Sequence, residues 1–163
     1  MPRDLEIERK FLVKRPPEGW KRHPSSRIIQ GYFPLADKDL EIRLRRKGLK
    51  HFITFKGGHG RRRLEKEIPI PESTFRTLWP LTGKAHVTKR RYEIPWRGRT
   101  IEMDFYEGPH RGLMTADIEF ASGSESRSFQ PPEWLGREVT GNLQYANRRL
   151  ARRRGLPRRP KHN

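Results

Sequence analysis

The 163-residue chain contains no cysteine. Disulfides, thiolate nucleophiles and sulfur-ligated metals are thereby excluded, so any metal must sit on oxygen or nitrogen. No apolar run is long enough to span a bilayer, and no charged-then-apolar leader opens the N-terminus. No membrane partner and a cytoplasmic location are expected. Apolar residues are scarce, 32% of the chain, so a core can form only if charged and apolar side chains are sorted onto opposite faces. Helical periodicity is scarce too. The six histidines show no ligand spacing, and the four tryptophans are scattered as packing residues would be.

Positive charge is abundant. The net charge is +18, and eight of the 37 Lys and Arg fall between Arg148 and Asn163 with no acid among them. Such an excess implies polyanionic partners: nucleic acid, polyphosphate, nucleotides or an acidic membrane surface.

The sorting begins at Glu6-Ile7-Glu8-Arg9-Lys10. Successive side chains of an extended strand point to opposite faces, so Glu6, Glu8 and Lys10 share one face while Leu5, Ile7, Phe11 and Val13 take the other. Two carboxylates so placed can hold a hard divalent cation, and the lysine an anion that the cation bridges. The same alternation predicts further strands around 28–33, 41–46, 51–56, 63–68, 87–94, 101–105 and 116–120, with Phe52 an apolar exception on a charged face. Gly48 and Gly98 mark two hairpins. A short helix is predicted after Pro71 with Phe75, Leu78 and Trp79. A second is predicted from about Gly141 to Arg153, with Thr140 as N-cap and Leu143, Ala146 and Leu150 as its apolar stripe.

Eight strands with densely charged faces of both signs fit a barrel better than a wet flat sheet. The fold expected is mainly β (α+β): a closed, eight-stranded, antiparallel, tunnel-like barrel with a few helices packed outside. Residues 1–154 would form that domain and 155–163 a basic, disordered tail. Ten acids (Glu6, Glu8, Glu41, Glu65, Glu67, Glu93, Glu102, Asp104, Asp117, Glu119) and seven bases (Lys10, Arg43, Arg45, Lys56, Arg63, Lys89, Arg91) would face one lumen. Empty, that lumen is costly to desolvate; filled by a polyanion with divalent metal, it balances.

These runs, with Gln30-Gly31-Tyr32, Glu41-Ile42-Arg43-Leu44-Arg45, Arg63-x-Glu65-x-Glu67, Lys89-x-Arg91, Glu102-x-Asp104 and Tyr145-x-Asn147, resemble the CYTH family, the triphosphate tunnel metalloenzymes. The resemblance spans residues 4 to about 151. It implies a tunnel that binds tripolyphosphate or a nucleoside triphosphate and hydrolyses it with Mg²⁺ or Mn²⁺. It places the phosphates on Lys10, Arg43, Arg45, Lys56, Arg63, Lys89 and Arg91. It places the metal among Glu6, Glu8, Glu65, Glu67, Asp104, Asp117 and Glu119. Glu6 and Glu8 would carry the bridging cation, and Tyr32 with Lys89 would orient the attacking water or steady the leaving oxygen. Asp117, where the family usually has Glu, bears on metal preference; Arg90, where it usually has Thr, is expected on the outer face.

Inorganic triphosphatase activity is the reading favoured. A class IV-like adenylate cyclase and a nucleoside or thiamine triphosphatase share the same grip, although no purine pocket is evident. A polyanion- or RNA-binding module is the non-enzymatic alternative, with weak nonspecific binding through the tail. The oligomeric state is left open, a homodimer included.

Overall fold

A computed structural model of the chain describes residues 7–57 and 64–157. Nine strands form one antiparallel sheet: β1 (Ile7–Val13), β2 (Ser25–Tyr32), β3 (Glu41–Lys47), β4 (Lys50–Gly57), β5 (Leu64–Pro69), β6 (His86–Trp96), β7 (Arg99–Tyr106), β8 (Met114–Phe120) and β9 (Leu135–Glu138). Their order is β5-β4-β3-β2-β6-β7-β8-β1-β9. Both expected hairpins are present. Gly48 takes φ 58° between β3 and β4, and Arg97 and Gly98 take φ 45° and 75° between β6 and β7. Positive φ at the first loop residue, or at both, is what two-residue loops matched to the strand twist require.

The period-2 pattern sorts the faces as expected. Apolar side chains on the outward phase, among them Phe11, Ile101, Met103, Ile118 and Phe120, form a core outside the sheet under Trp134 and Leu135, flanked by Trp20 and Phe129. On the same outward face, toward β4, α1 (Glu72–Leu78) lays Phe75 against His51 at 4.9 Å, followed by a 3-10 turn at Trp79–Thr82. That turn approaches β2 so closely that a Cβ on Gly31 would lie 2.9 Å from the Thr82 hydroxyl. A second core lies on the inward phase, where Tyr32, Val87, Tyr106 and Leu113 meet Tyr145, Leu150 and Ala151 of the C-terminal segment.

Several expectations are corrected. Among the described residues there are nine strands: β9 is too short to show alternation, and it pairs with β1 at Phe11 and Val13. Among the described residues the sheet is not closed by hydrogen bonds. Its edges are β5 and β9, because β9 occupies the free side of β1 at Phe11–Val13. The expected helix over 141–153 is broken into a 3-10 turn, Leu143–Tyr145, and α3 (Asn147–Ala151), with Ala146 extended between them. Thr140 does not cap it. Asn142 accepts from the Gln144 N–H instead, while the Thr140 hydroxyl accepts from the Lys10 N–H. Leu143, assigned to the apolar stripe, is 73% exposed. A short helix not anticipated, α2 (Gly123–Ser128), is capped by the Ser122 hydroxyl. Pro157, placed in the tail, is buried.

Candidate active site

Strand parity delivers the charged side chains to one side of the sheet, and strands far apart in the sheet order share one electrostatic environment. Lys56 on β4 acts on Glu8 of β1, and Lys10 of β1 acts on Tyr32 of β2. The inward face therefore curls around a lumen.

Its most buried part is an ion-pair network. The Lys89 ammonium donates to Asp104 Oδ2 at 2.6 Å, and Arg91 donates through Nε to Oδ1 at 2.7 Å and through a second nitrogen to Oδ2 at 2.8 Å. The Lys89 and Asp104 side chains are 2% and 0% exposed. Arg91 also contacts Glu102 and, at 3.5 Å, Asp117, while Lys10 lies 3.2 Å from Asp117. Burial would raise the Asp104 carboxyl, but Lys89 and Arg91 outweigh it and hold the group well below the usual carboxylate range. Burial pushes Lys89 down to about 8 against the pull of Asp104. Lys10 is shifted up, since Asp117, Tyr106 and Glu8 outweigh its burial.

The β3–β4–β5 side is more open. Arg45 donates to Glu67 at 2.7 Å, Arg43 lies 3.7 Å from Glu67, and Lys56 lies 2.9 Å from Glu65. The Thr54 hydroxyl donates to Glu67 at 3.0 Å. Arg45 also sits over the Phe52 ring, which explains the apolar exception in that strand.

Three acid–acid pairs stand out. Glu8 faces Glu119, Glu93 faces Glu102, and Glu102 faces Asp117, each directly across neighbouring strands. Like charges so placed repel. Burial first, then the Asp117 charge, pushes the Glu8 carboxyl up to about 7. A divalent cation fits this carboxylate chemistry, since it would offset the repulsion that the protein leaves in place. Among the described residues no three acids or histidines converge into a preformed metal cage.

Of the residues expected at the site, Glu6 and Arg63 lie outside the described residues. Glu8, Lys10, Arg43, Arg45, Lys56, Glu65, Glu67, Lys89, Arg91, Asp104, Asp117 and Glu119 all lie on the inward phase. Tyr32 is buried there too, its hydroxyl accepting from Gln30 at 2.7 Å; it is not hydrogen-bonded to Lys89. Burial raises the phenol to about 12, so it stays a neutral donor. Sequence reasoning missed Lys47, which shares the parity of Arg43 and Arg45 and pairs with Glu93 at 3.1 Å. It also missed Tyr106, 5.5 Å from the Lys89 ammonium and donating to Asn147 at 2.7 Å.

The CYTH domain model matches residues 4–153. The chain belongs to the CYTH family. Among CYTH relatives, an inorganic triphosphatase of Nitrosomonas europaea is 40% identical over 148 residues, covering 90% of this chain and 96% of the relative. An inorganic triphosphatase of Acetivibrio thermocellus is 35% identical over 150 residues, covering 90% and 93%. The crystal structure of the inorganic triphosphatase NE1496 superposes with a TM-score of 0.72 at 36% identity over 93% of this chain and 97% of that one. The PH1012 protein of Pyrococcus horikoshii, at 22% identity and a TM-score of 0.55 over 81% and 94%, shares the CYTH fold. No helix among the described residues is long and apolar enough to cross a membrane.

Proposed function

We propose that this protein hydrolyses inorganic tripolyphosphate in the lumen with a divalent cation. The observation that carries the reading is the pattern of unmet polar demand inside the lumen. Arg43 Nε and Arg45 Nε are buried donors with no hydrogen-bond partner, beside carboxylates stacked against carboxylates. Unpartnered buried donors and like charges set directly opposite one another each cost free energy, and a phosphate chain with its cation meets both demands at once. The two relatives named inorganic triphosphatase support the same substrate class.

In this reading Lys10, Arg43, Arg45, Lys56, Arg63, Lys89 and Arg91 bind the phosphate oxygens, because phosphoryl transfer asks the protein mainly for position and charge. Asp104 holds Lys89 and Arg91 in place, with both its oxygens occupied by them. Glu65 and Glu67 do the same for Lys56, Arg43 and Arg45. Glu8, Glu119 and Asp117, with Glu6 two residues before Glu8 in the sequence, are the acids assigned to Mg²⁺ or Mn²⁺. The cation supplies Lewis acidity toward phosphate oxygens and water. The Tyr32 hydroxyl accepts from Gln30, and Arg43 donates toward it as well, so its own proton remains available to a phosphate oxygen.

The test is phosphate release from tripolyphosphate, pyrophosphate, ATP and thiamine triphosphate, each with Mg²⁺ and with Mn²⁺. Tripolyphosphate should be turned over fastest, and chelation should stop the reaction. Faster turnover of ATP, with a cyclic nucleotide as product, would move the protein to the cyclase branch of the fold.

A further inference from the structure

The lumen does not account for the charge of this protein. By the parity of the sequence, and counting Lys47, the inward phase takes eight of the 37 bases and ten of the 19 acids, which leaves 29 bases against nine acids in the rest of the sequence. Part of this remaining excess is organised by the sheet. Arg90 on β6 is directly opposite Arg27 on β2, and Arg46 on β3 is opposite Ile29, two residues along the same outward face from Arg27. On the outer wall the three therefore make a row crossing three strands, about 5 Å from Arg90 to Arg27 and about 7–8 Å on the diagonal to Arg46. Arg27 and Arg90 are exposed and Arg46 is half-buried. One carboxylate answers the row, Glu107, which accepts from Arg27 at 2.9 and 3.0 Å. No carboxylate among the described residues pairs with Arg46 or Arg90.

Two arginines directly opposite one another on neighbouring strands repel, and nothing in the packing calls for them. An aromatic surface adjoins the row. Phe105, the partner of Arg90 on β7, carries Trp20 stacked at 4.4 Å, with Lys21 5.4 Å from the Trp20 ring. A row of cations beside an aromatic ring is how proteins hold single-stranded nucleic acid, with the arginines on successive phosphates and the ring beside a base.

We infer that this outer wall of β6–β2–β3, centred on Arg90, Arg27 and Arg46, is a docking surface for single-stranded nucleic acid, separate from the lumen. Nucleic acid is favoured over inorganic polyphosphate because the cations are set about one per nucleotide and an aromatic flanks them. A membrane is disfavoured because none of the exposed large apolar residues, among them Leu49 at the β3–β4 hairpin tip, belongs to the row.

The experiment is fluorescence anisotropy of a labelled single-stranded RNA bearing a 5′-hydroxyl, titrated with the full chain at several salt concentrations. The wild type should bind, and saturating tripolyphosphate with Mg²⁺ should not displace the RNA. The triple variant R27Q/R46Q/R90Q should bind roughly tenfold or more weakly at low salt. Its slope of log affinity against log salt should be smaller by about 2, because three charges that neutralise phosphates have been removed. Its phosphate release from tripolyphosphate should match the wild type, which also reports that it folds. The triple lysine variant should keep the wild-type slope. Equal RNA binding by the wild type and the glutamine variant would overturn the inference. So would displacement by tripolyphosphate, loss of all binding on deleting 158–163, or three-arginine-dependent binding of polyphosphate or anionic vesicles in place of RNA. Because hydrolysis is read separately, failure of the wall leaves the lumen reading intact, and the reverse.

Discussion

Two walls of the same lumen solve the problem of inward charge differently. On the β6–β7–β8–β1 wall, Lys89, Asp104, Arg91 and Asp117 are buried and interlocked, and the outer face beneath them is covered by Trp134, Leu135 and their neighbours. On the β3–β4–β5 wall, Lys56, Glu65 and Glu67 remain about a third exposed, and Phe55, Leu64 and Ile68 on the outer face meet solvent. The first wall is preorganised by desolvation, where each charge depends on its partner. The second is wetter, and its pairs are screened and adjustable. A lumen that must admit a flexible polyanion and still position it needs one rigid side. The rigid side here is the one whose outer face is covered.

The largest expected difference follows from removing one acid on each wall. Asp104→Asn leaves Lys89 and Arg91 without their shared carboxylate, and should destabilise the fold by about 3–5 kcal/mol. Glu67→Gln, on the wet wall, should cost no more than about 1 kcal/mol. Urea denaturation of both variants checks this, and equal losses would mean that the walls are not distinct.

Next is catalysis. Glu8→Gln should lower metal-dependent phosphate release by roughly 100-fold, since it removes an electrostatic contact in a confined site, while leaving the fold intact. Arg43→Ala should instead act mainly on substrate affinity, about 1.5–3 kcal/mol for a charge-assisted contact. Steady-state kinetics separate the two, and a kcat effect confined to Arg43→Ala would invert the assignment.

A smaller effect is the pH dependence of the metal-free protein. The Glu8 carboxyl is raised in the folded state from 4.5 to about 7, so its contribution to stability is full below about 4.5 and is lost as pH rises through about 7. In EDTA, the melting temperature of wild type relative to Glu8→Gln should therefore fall between those limits. Added Mg²⁺ should reverse the trend at the upper end, where the carboxylate is ionised. A flat difference would mean that Glu8 is not desolvated as placed.

Smallest of all should be deletion of 158–163, which leaves Tyr145, Leu150 and Ala151 in the lumen core. Melting and tripolyphosphate hydrolysis should stay near wild type, with a slightly slower approach of substrate at low salt. Truncation after Thr140 removes that core and should abolish soluble expression.

The sequence by itself determined the parity of the strands, because alternation is a local property of extended backbone. Glu8 and Lys10, Arg43 and Arg45, Lys89 and Arg91 could be assigned to one face before any fold was known. It also carried the two hairpins, through Gly48 and Gly98, and the helix after Pro71. What only the tertiary structure decided is non-local. Which acid meets which base depends on register between strands that can lie more than a hundred residues apart, as with Lys10 and Asp117. β9 exists because β1 offers an edge to a segment with no pattern of its own. The C-terminal helix breaks at Ala146 because Tyr145 and Leu150 must both reach the lumen core while Leu143 stays outside. Parity states which way a side chain points; only the curl of the sheet decides what it points at.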